Sequence, residues 1–300
     1  MTDIAPPMPV SRSRKGGFRT SFRRLLRKTP LGMRVCFVAF SVLVLVAVFA
    51  PWLAPYDPDA QTLLARFKPP IGMEGADSKH LLGTDQLGRD VLSRALYGLR
   101  LTLGIALIGS FISLIIGTTL GIIAGYLRGK VGAFIMALVD IQIAVPFTLI
   151  VLLVIAFVGN SLPVLICVLG IGGWESYARI GRAQVLTVSK LPFVEALVAA
   201  GIPQWRILLR HILPNIASPI VVIWTMAFSG LILAESTLSF LGLGVQPPTA
   251  TLGSMVGNGR EYLASYPWIA VLPSLVIMVV SLLVLLIGDW LRDVLDVRLK

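Results

Sequence analysis

The chain has 300 residues, 56% of them hydrophobic and only 14% charged, with a mean hydropathy of +0.86. A soluble domain carries roughly a quarter charged residues, so this composition excludes one and indicates a polytopic membrane protein. The formal charge of +11 indicates no nucleic-acid partner, because the basic residues flank apolar spans, where topology accounts for them.

Residues 1–34 read as a mostly disordered, basic cytoplasmic tail carrying Arg12, Arg14, Lys15, Arg19, Arg23, Arg24, Arg27 and Lys28. No small-residue cleavage site follows the next apolar run. Pro51-Trp52 follows instead, so 35–54 reads as an uncleaved first span. Apolar runs of roughly 20 residues, enough to cross a hydrocarbon core, recur near Val35–Leu53, Leu101–Tyr126, Ala133–Val158, Leu162–Tyr177, Ile216–Leu243 and Trp268–Ile287. The expected architecture is an all-α polytopic protein of six transmembrane helices with both termini on one side. Nineteen of the 26 Lys and Arg residues fall on that side, in the tail, at Arg128 and Lys130, between Arg179 and Arg210, and in the C-terminus 289–300. The positive-inside rule puts that side in the cytoplasm.

Residues 55–100 form the long outer loop. Its end, His80 to Arg94, offers Thr84 or Asp85 as a helix N-cap and Asp90 with Arg94 as an i,i+4 pair. It reads either as a solvated amphipathic lead-in helix or as a contact for a partner. The second span opens a core of five spans, 99–288. It carries Gly117, Gly121, Gly125 and Gly129 at every fourth position, a groove where another helix can pack closely. Gly125 to Val131, GYLRGKV, is a near miss to a phosphate-binding loop: position 124 is Ala, and Val131 stands where Ser or Thr is needed. No ATP site of the chain's own is visible. Asp140 and Glu235 lie within the third and fifth spans, where ionisable groups face protein or water; they are candidates for a translocation path. Pro146 is placed to kink the third span. Cys36 and Cys167 sit in apolar runs without CxxC spacing and read as free, buried thiols. Two His residues argue against a His-rich metal site.

Leu191 to Pro214 is apolar enough to lie near a membrane and too broken to cross one. Pro192 opens a short helix, Gly201 stops it with Pro203 just beyond, and a second helix runs from Gln204 to Leu213, where Pro214 bars simple continuation. Arg206 and Arg210 share one face of it, and Trp205, Leu208 and Ile212 line another. The result is a helix–turn–helix hairpin between two spans, which by itself also fits an interfacial element resting on lipid.

Glu195-Ala196, Gly201 and Leu213-Pro214 have the spacing of the EAA loop of ABC-importer permeases, which the hairpin resembles. Leu197 replaces the second Ala of that motif, and His211 its Ile. The segments His80–Arg94, Glu235–Gly244 with Pro247-Pro248, and Gly288–Asp296 resemble the dipeptide/oligopeptide/nickel permease family, in the partner usually encoded second of two. Val297-Arg298 stands where Pro-Arg or Pro-Lys is commoner. The resemblance runs from about Val35 onward. It implies the type I ABC-importer permease fold and a permease subunit that moves di- and oligopeptides across the bacterial cytoplasmic (inner) membrane, with glutathione or nickel chelates as alternative cargo. It implies a heterodimer with a paralogous permease, two ATPase subunits, an extracytoplasmic substrate-binding protein and surrounding membrane lipid. The chain itself would be no enzyme and bind no cofactor or metal; ATP and Mg would sit on the ATPase subunits. Glu195, Ala196, Gly201, Arg206, Arg210, Leu213 and Pro214 would form the ATPase-coupling hairpin.

Two other classes compete. A secondary transporter should pair ionisable residues deep in its spans and repeat its broken helices; the sequence offers Asp140 and Glu235 and no repeat of the hairpin. An intramembrane hydrolase needs a nucleophile and a base within reach, whereas His80 and His211 fall outside the spans on opposite sides. The charge distribution makes a direct prediction: single cysteines placed at Met1 and Lys300 resist an impermeant thiol reagent in intact cells, and one placed at Gln61 reacts. Labelling of Lys300→Cys from outside would contradict the six-span frame.

Overall fold

The computed structural model describes residues 29–296. The tail residues 1–28 and the basic Arg298 and Lys300 lie outside the described residues. The helices in chain order are α1 (Leu31–Val48), α2 (Ala50–Leu53), α3 (Val91–Leu127), α4 (Gly129–Ala144), α5 (Phe147–Val158), α6 (Leu162–Ile171), α7 (Trp174–Val188), α8 (Pro192–Ala199), α9 (Gln204–Ile207), α10 (Leu213–Phe240), α11 (Leu252–Gly259) and α12 (Trp268–Asp296). A π turn at Leu208–Ile212 joins α9 to α10. Among the described residues an isolated bridge between Thr84 and Asp90 stands in place of any strand, so the protein is all-α as expected. The first span begins at Leu31, inside the expected tail.

Helix α3 is the hub. Its 37 residues extend about 55 Å at 1.5 Å per residue, well beyond a hydrocarbon core of about 30 Å. Leu99, Leu103 and Ala106 meet α10, α11 and α12 through Ile232, Leu252, Ile277, Val280 and Val284. Ile105 meets α5 and α6 through Val151, Leu165 and Leu169. The glycine face of α3 lies against α7. A methyl group at Gly117 would strike the Trp174 carbonyl; one at Gly121 would lie 2.5 Å from Ala178 O, and one at Gly125 2.9 Å from Val185 Cβ. Helix α7 contributes Ala178 and Gly181, both buried. Gly129 does not join this face. It follows the end of α3 at φ +51 with open space around it, so it serves the turn into α4.

The third and fourth expected spans are not single helices. At Pro146 the chain bends by 88° between α4 and α5. Val145 is extended, as the residue before a proline tends to be, so the result is a break and not a mild kink. The fourth divides at Gly172-Gly173 into α6 and α7, with no room for a side chain at Gly172 because the Phe147 ring fills it. Among the described residues four helices are long and apolar enough to cross a membrane, or five if the bent pair counts as one span. Cys36 is half-buried and Cys167 exposed. The expectation of a buried thiol fails at Cys167 because α6 turns Leu165, Val168 and Leu169 inward and this residue outward.

The His80–Arg94 segment is not a solvated lead-in helix; its polar residues form a buried knot, with Leu81 left exposed. Asp85 Oδ1 accepts from the Leu87 and Arg89 backbone N–H groups at 2.9 and 3.0 Å, and Oδ2 from Arg89 Nε at 2.6 Å. Asp90, not Thr84 or Asp85, is the N-cap of α3: its Oδ2 accepts from Ser93 N at 2.8 Å. Its other oxygen meets His80 Nδ1 at 2.9 Å. Arg94 therefore pairs not with Asp90 but with Asp85 and Asp59, and donates to Pro58 O at 3.0 Å. Trp268 Nε1 donates to Thr84 O at 3.2 Å and ties the knot to α12.

The α3–α7 contact gives a packing prediction. Gly121→Ala forces a methyl group onto a backbone carbonyl and should cost about 1–3 kcal/mol, seen as lower membrane abundance and faster thermal aggregation in detergent. Gly104→Ala, where the added methyl meets nothing within 4 Å, should leave both unchanged.

Candidate functional site

The hairpin is built by local backbone rules. Pro192 opens α8, where its missing N–H falls among donors that are unpaired anyway. At the other end Gly201, at φ +73, donates to Val198 O at 3.0 Å, and Ile202 N–H donates to Leu197 O at 3.2 Å. That pair of bonds is a Schellman motif, and its customary apolar contact is between the residues here numbered 197 and 202. Both pack on a floor formed by Val194, Ile207 and Ile212 with Val185 and Val188 of α7. Tyr126 Oη donates to Gln204 Oε1 at 3.0 Å, fastening the turn to the end of α3.

The floor is buried and the rim is exposed. Glu195, Ala196, Gly201, Arg206, Arg210 and Pro214 are exposed, and Leu213 is half-buried. The Arg206 guanidinium lies 5.4 Å from the Trp205 ring centroid. Trp205 and Leu209 are 59% and 57% exposed. The expected apolar line of Trp205, Leu208 and Ile212 is divided: Ile212 belongs to the floor, Leu208 is half-buried, and Trp205 faces out. No ion pair among the described residues joins Glu195 to Arg206 or Arg210.

The second arm does not stop at Pro214. From Gln204 to Phe240 the helix is continuous over 37 residues. The reason is the π turn: Leu213 N–H reaches back five residues to Leu208 O, which widens the helix just where the proline ring would otherwise crowd the carbonyl four residues earlier. Asn215 Nδ2 donates to His211 O at 2.6 Å. The outer arm of the hairpin is thus the end of a spanning helix, and neither a lone short helix nor a loop.

The structure does not bring the two ionisable candidates together. Asp140 accepts from Arg179 Nη2 at 3.1 Å, with the two side chains 71% and 57% exposed, a surface pair of small worth. Glu235 is fully buried. Its Oε1 accepts from Ser239 Oγ at 2.7 Å and its Oε2 from Thr102 Oγ1 at 3.3 Å. Arg179 follows Ala178, which lies level with Gly121, whereas Glu235 lies level with Thr102, about 28 Å earlier along α3. Sequence reasoning missed the partners in both cases. It also missed α7 as the helix facing the glycines, although Ala178-x-x-Gly181 carries a small-residue signal. Among the described residues no group of three or more His, Cys, Asp or Glu is placed to hold a metal ion.

Known proteins are similar to this chain. Residues 117–300 match the model of the binding-protein-dependent transport system inner membrane component, and residues 18–70 match the N-terminal TM domain of oligopeptide transport permease C. The di/tripeptide transport system permease protein DppC of Pseudomonas aeruginosa is 42% identical over 259 residues, 86% of each chain. The glutathione transport system permease protein GsiD of Pectobacterium atrosepticum is 36% identical over 295 residues, 98% of this chain and 96% of its own. A solved inward-facing conformation of the MetNI methionine ABC transporter superposes with a TM-score of 0.57 at 20% identity, over 68% of this chain and 96% of that one. At that identity the likeness establishes the fold, which is that of a type I ABC-importer permease. On the matched length and the identity to its relatives, the chain belongs to the family of binding-protein-dependent transport-system inner-membrane components, the multi-pass membrane subunits of ABC importers.

Proposed function

We propose that this subunit carries di- and oligopeptides inward across the cytoplasmic membrane, and that the hairpin 191–214 receives the motion of two separate ATPase subunits, which hold ATP and Mg. The observation that carries the coupling reading is the hairpin's division into a buried apolar floor and an exposed rim of Glu195, Arg206, Arg210, Trp205 and Leu209. A surface so divided is held rigid from below and is free to dock above. The arm bearing Arg206 and Arg210 is continuous with a spanning helix, so a load at the rim acts on the bundle directly.

The hairpin and both termini face the cytoplasm in this reading, supported by the excess of Lys and Arg on that side. A paralogous permease completes the translocation path, and a substrate-binding protein delivers cargo to the opposite face, where the loop 55–90 lies. Domain limits of 1–34, 35–54, 55–100, 99–288 and 289–300 follow the same frame, with the helices starting earlier, at Leu31 and Val91, and the last one running on to Asp296. Gly117, Gly121 and Gly125 serve helix packing. Asp140, already exposed and paired with Arg179, is the ionisable residue assigned to the path in this reading. The name of the di/tripeptide permease relative supports peptide cargo. A second reading, glutathione, is supported by the glutathione permease relative. Uptake of labelled dipeptide and of labelled glutathione by vesicles holding the full complex separates the two.

Gly201 gives the sharper test. It sits at φ +73 with open space around its Cα, so a side chain there meets no neighbour and costs only backbone strain, about 1 kcal/mol or more. Gly201→Val should leave membrane abundance normal and abolish both ATPase co-purification and uptake, with Gly201→Ala milder. Full uptake and full ATPase association in Gly201→Val would remove the hairpin from the coupling role.

A further inference from the structure

The Glu235–Gly244 motif has a use that the coupling hairpin does not explain. Its buried end builds a joint. Thr102 Oγ1, which donates to Glu235 Oε2, also accepts from the backbone N–H of Leu252 at 3.2 Å, the first residue of α11. Ser239, which donates to Glu235 Oε1, lies 3.3 Å from Thr251 Oγ1. Thr251 is the N-cap of α11, in a capping box with Ser254. Glu235, Thr102, Ser239 and Thr251 are at most 6% exposed. The carboxyl thus joins α3, α10 and the N-terminal end of α11, where the helix dipole favours an acidic group.

Packing around the joint is backbone to backbone. A methyl group at Gly253 would lie 2.5 Å from Ser236 Cα, and one at Gly257 3.1 Å from Ser239 O. At the other end of α11, Arg260 donates to Phe240 O at 3.3 Å. Helix α11 is therefore seated on the last two turns of α10, and α10 is the far end of the continuous helix that starts in the hairpin.

We infer that Glu235 is a positioning residue that fastens the cross-helix α11 to the hairpin-bearing helix, so that α11 shifts when the hairpin is moved. The inference rests on the coupling reading given above and is independent of the cargo. It assigns Glu235 to transmission and not to contact with the transported molecule: a fully buried carboxyl with both oxygens engaged by protein hydroxyls faces no path in this conformation.

The test uses the full complex in vesicles, with Cys36 and Cys167 replaced and a single reporter, Asn258→Cys, on the exposed edge of α11. The expected result is a reporter labelling rate that changes severalfold when the ATPases are trapped with ATP and vanadate. Glu235→Ala should abolish that change and lower uptake per ATP about tenfold, the equivalent of losing a hydrogen-bonded buried joint. Glu235→Gln should stay within about twofold of the parent, because an amide can still accept from Ser239 and donate to Thr102. In the Glu235→Ala background, an oxidised bridge between Ser239→Cys and Thr251→Cys should restore uptake per ATP, and reduction should remove it again. If Glu235→Ala fails to accumulate, Thr102→Val, which removes the bonds to Glu235 and to Leu252 N–H, and Ser239→Ala, which removes those to Glu235 and Thr251, should each lower the labelling change. A labelling change that survives loss of the carboxyl or of these bonds overturns the inference, as does a bridge that restores nothing. A parent complex whose reporter responds to ATP but which takes up no peptide would overturn the peptide cargo and leave the joint standing.

Discussion

A proline in a membrane helix leaves one backbone carbonyl without its partner, and in hydrocarbon an unpaired carbonyl costs several kcal/mol. The most consequential helix of this protein carries two prolines, Pro214 at the hairpin end and Pro219 farther in, and stays continuous past both. At Pro214 a π turn gives the proline ring room, and the Asn215 side chain adds a bond to His211 O. Because the helix survives, the hairpin rim at Arg206 and the buried joint at Glu235 are parts of one rod. Had it broken at Pro214, the hairpin would be a flap on two loops, and a load on its rim would be lost in bending.

The rod works only if its neighbours are held firmly. In lipid there is little hydrophobic drive between helices, so close packing of small residues and hydrogen bonding take over. Both occur where they are needed. Gly117, Gly121 and Gly125 bring α3 against α7, and α7 supplies Val185 and Val188 to the hairpin floor. Gly253 and Gly257 bring α11 against α10. The polar knot of Asp85, Arg89, Asp90 and Arg94 fixes the start of α3 at the opposite end from the hairpin. The first span joins this frame along one face: Ala47, with Phe40, Leu43 and Val46, packs into the cluster of Leu99 and Leu103, and an edge-on pair of Phe37 with Trp290 at 5.2 Å ties it to α12.

Much of this was legible in the sequence where the signal is local. Gly201 followed by Pro203 marks the turn, and the structure has Gly201 at positive φ with the two bonds that end α8. Pro146 marks a disturbance in the third span, although its depth, a bend of 88°, depends on how α5 packs. Non-local features were hidden. Asp90 and Arg94 have the spacing of a helix pair, yet Asp90 is drawn off as a cap and Arg94 toward Asp85 and Asp59, because the loop folds back on the start of α3. Glu235 reads in the sequence as a candidate for the translocation path; its partner Thr102 lies 133 residues away, and Thr251, which meets Ser239, lies 16 residues on, and neither carries a signal of its own. Pro214 misled for a simpler reason: a π turn leaves no mark in residue type.

The central claim, that one unbroken helix carries the hairpin's displacement through the membrane, is open to a distance measurement. Spin labels at Trp205 and Phe240, both exposed, are separated by 35 helical positions, about 50 Å at 1.5 Å each. Pulsed electron–electron resonance on the assembled complex, without nucleotide and then trapped with ATP and vanadate, reads that separation. A single narrow distribution that does not move between the two states is the predicted result. A broad distribution, or a shift of several Å on trapping, would show that the helix bends at Pro214 or Pro219 and would contradict the account.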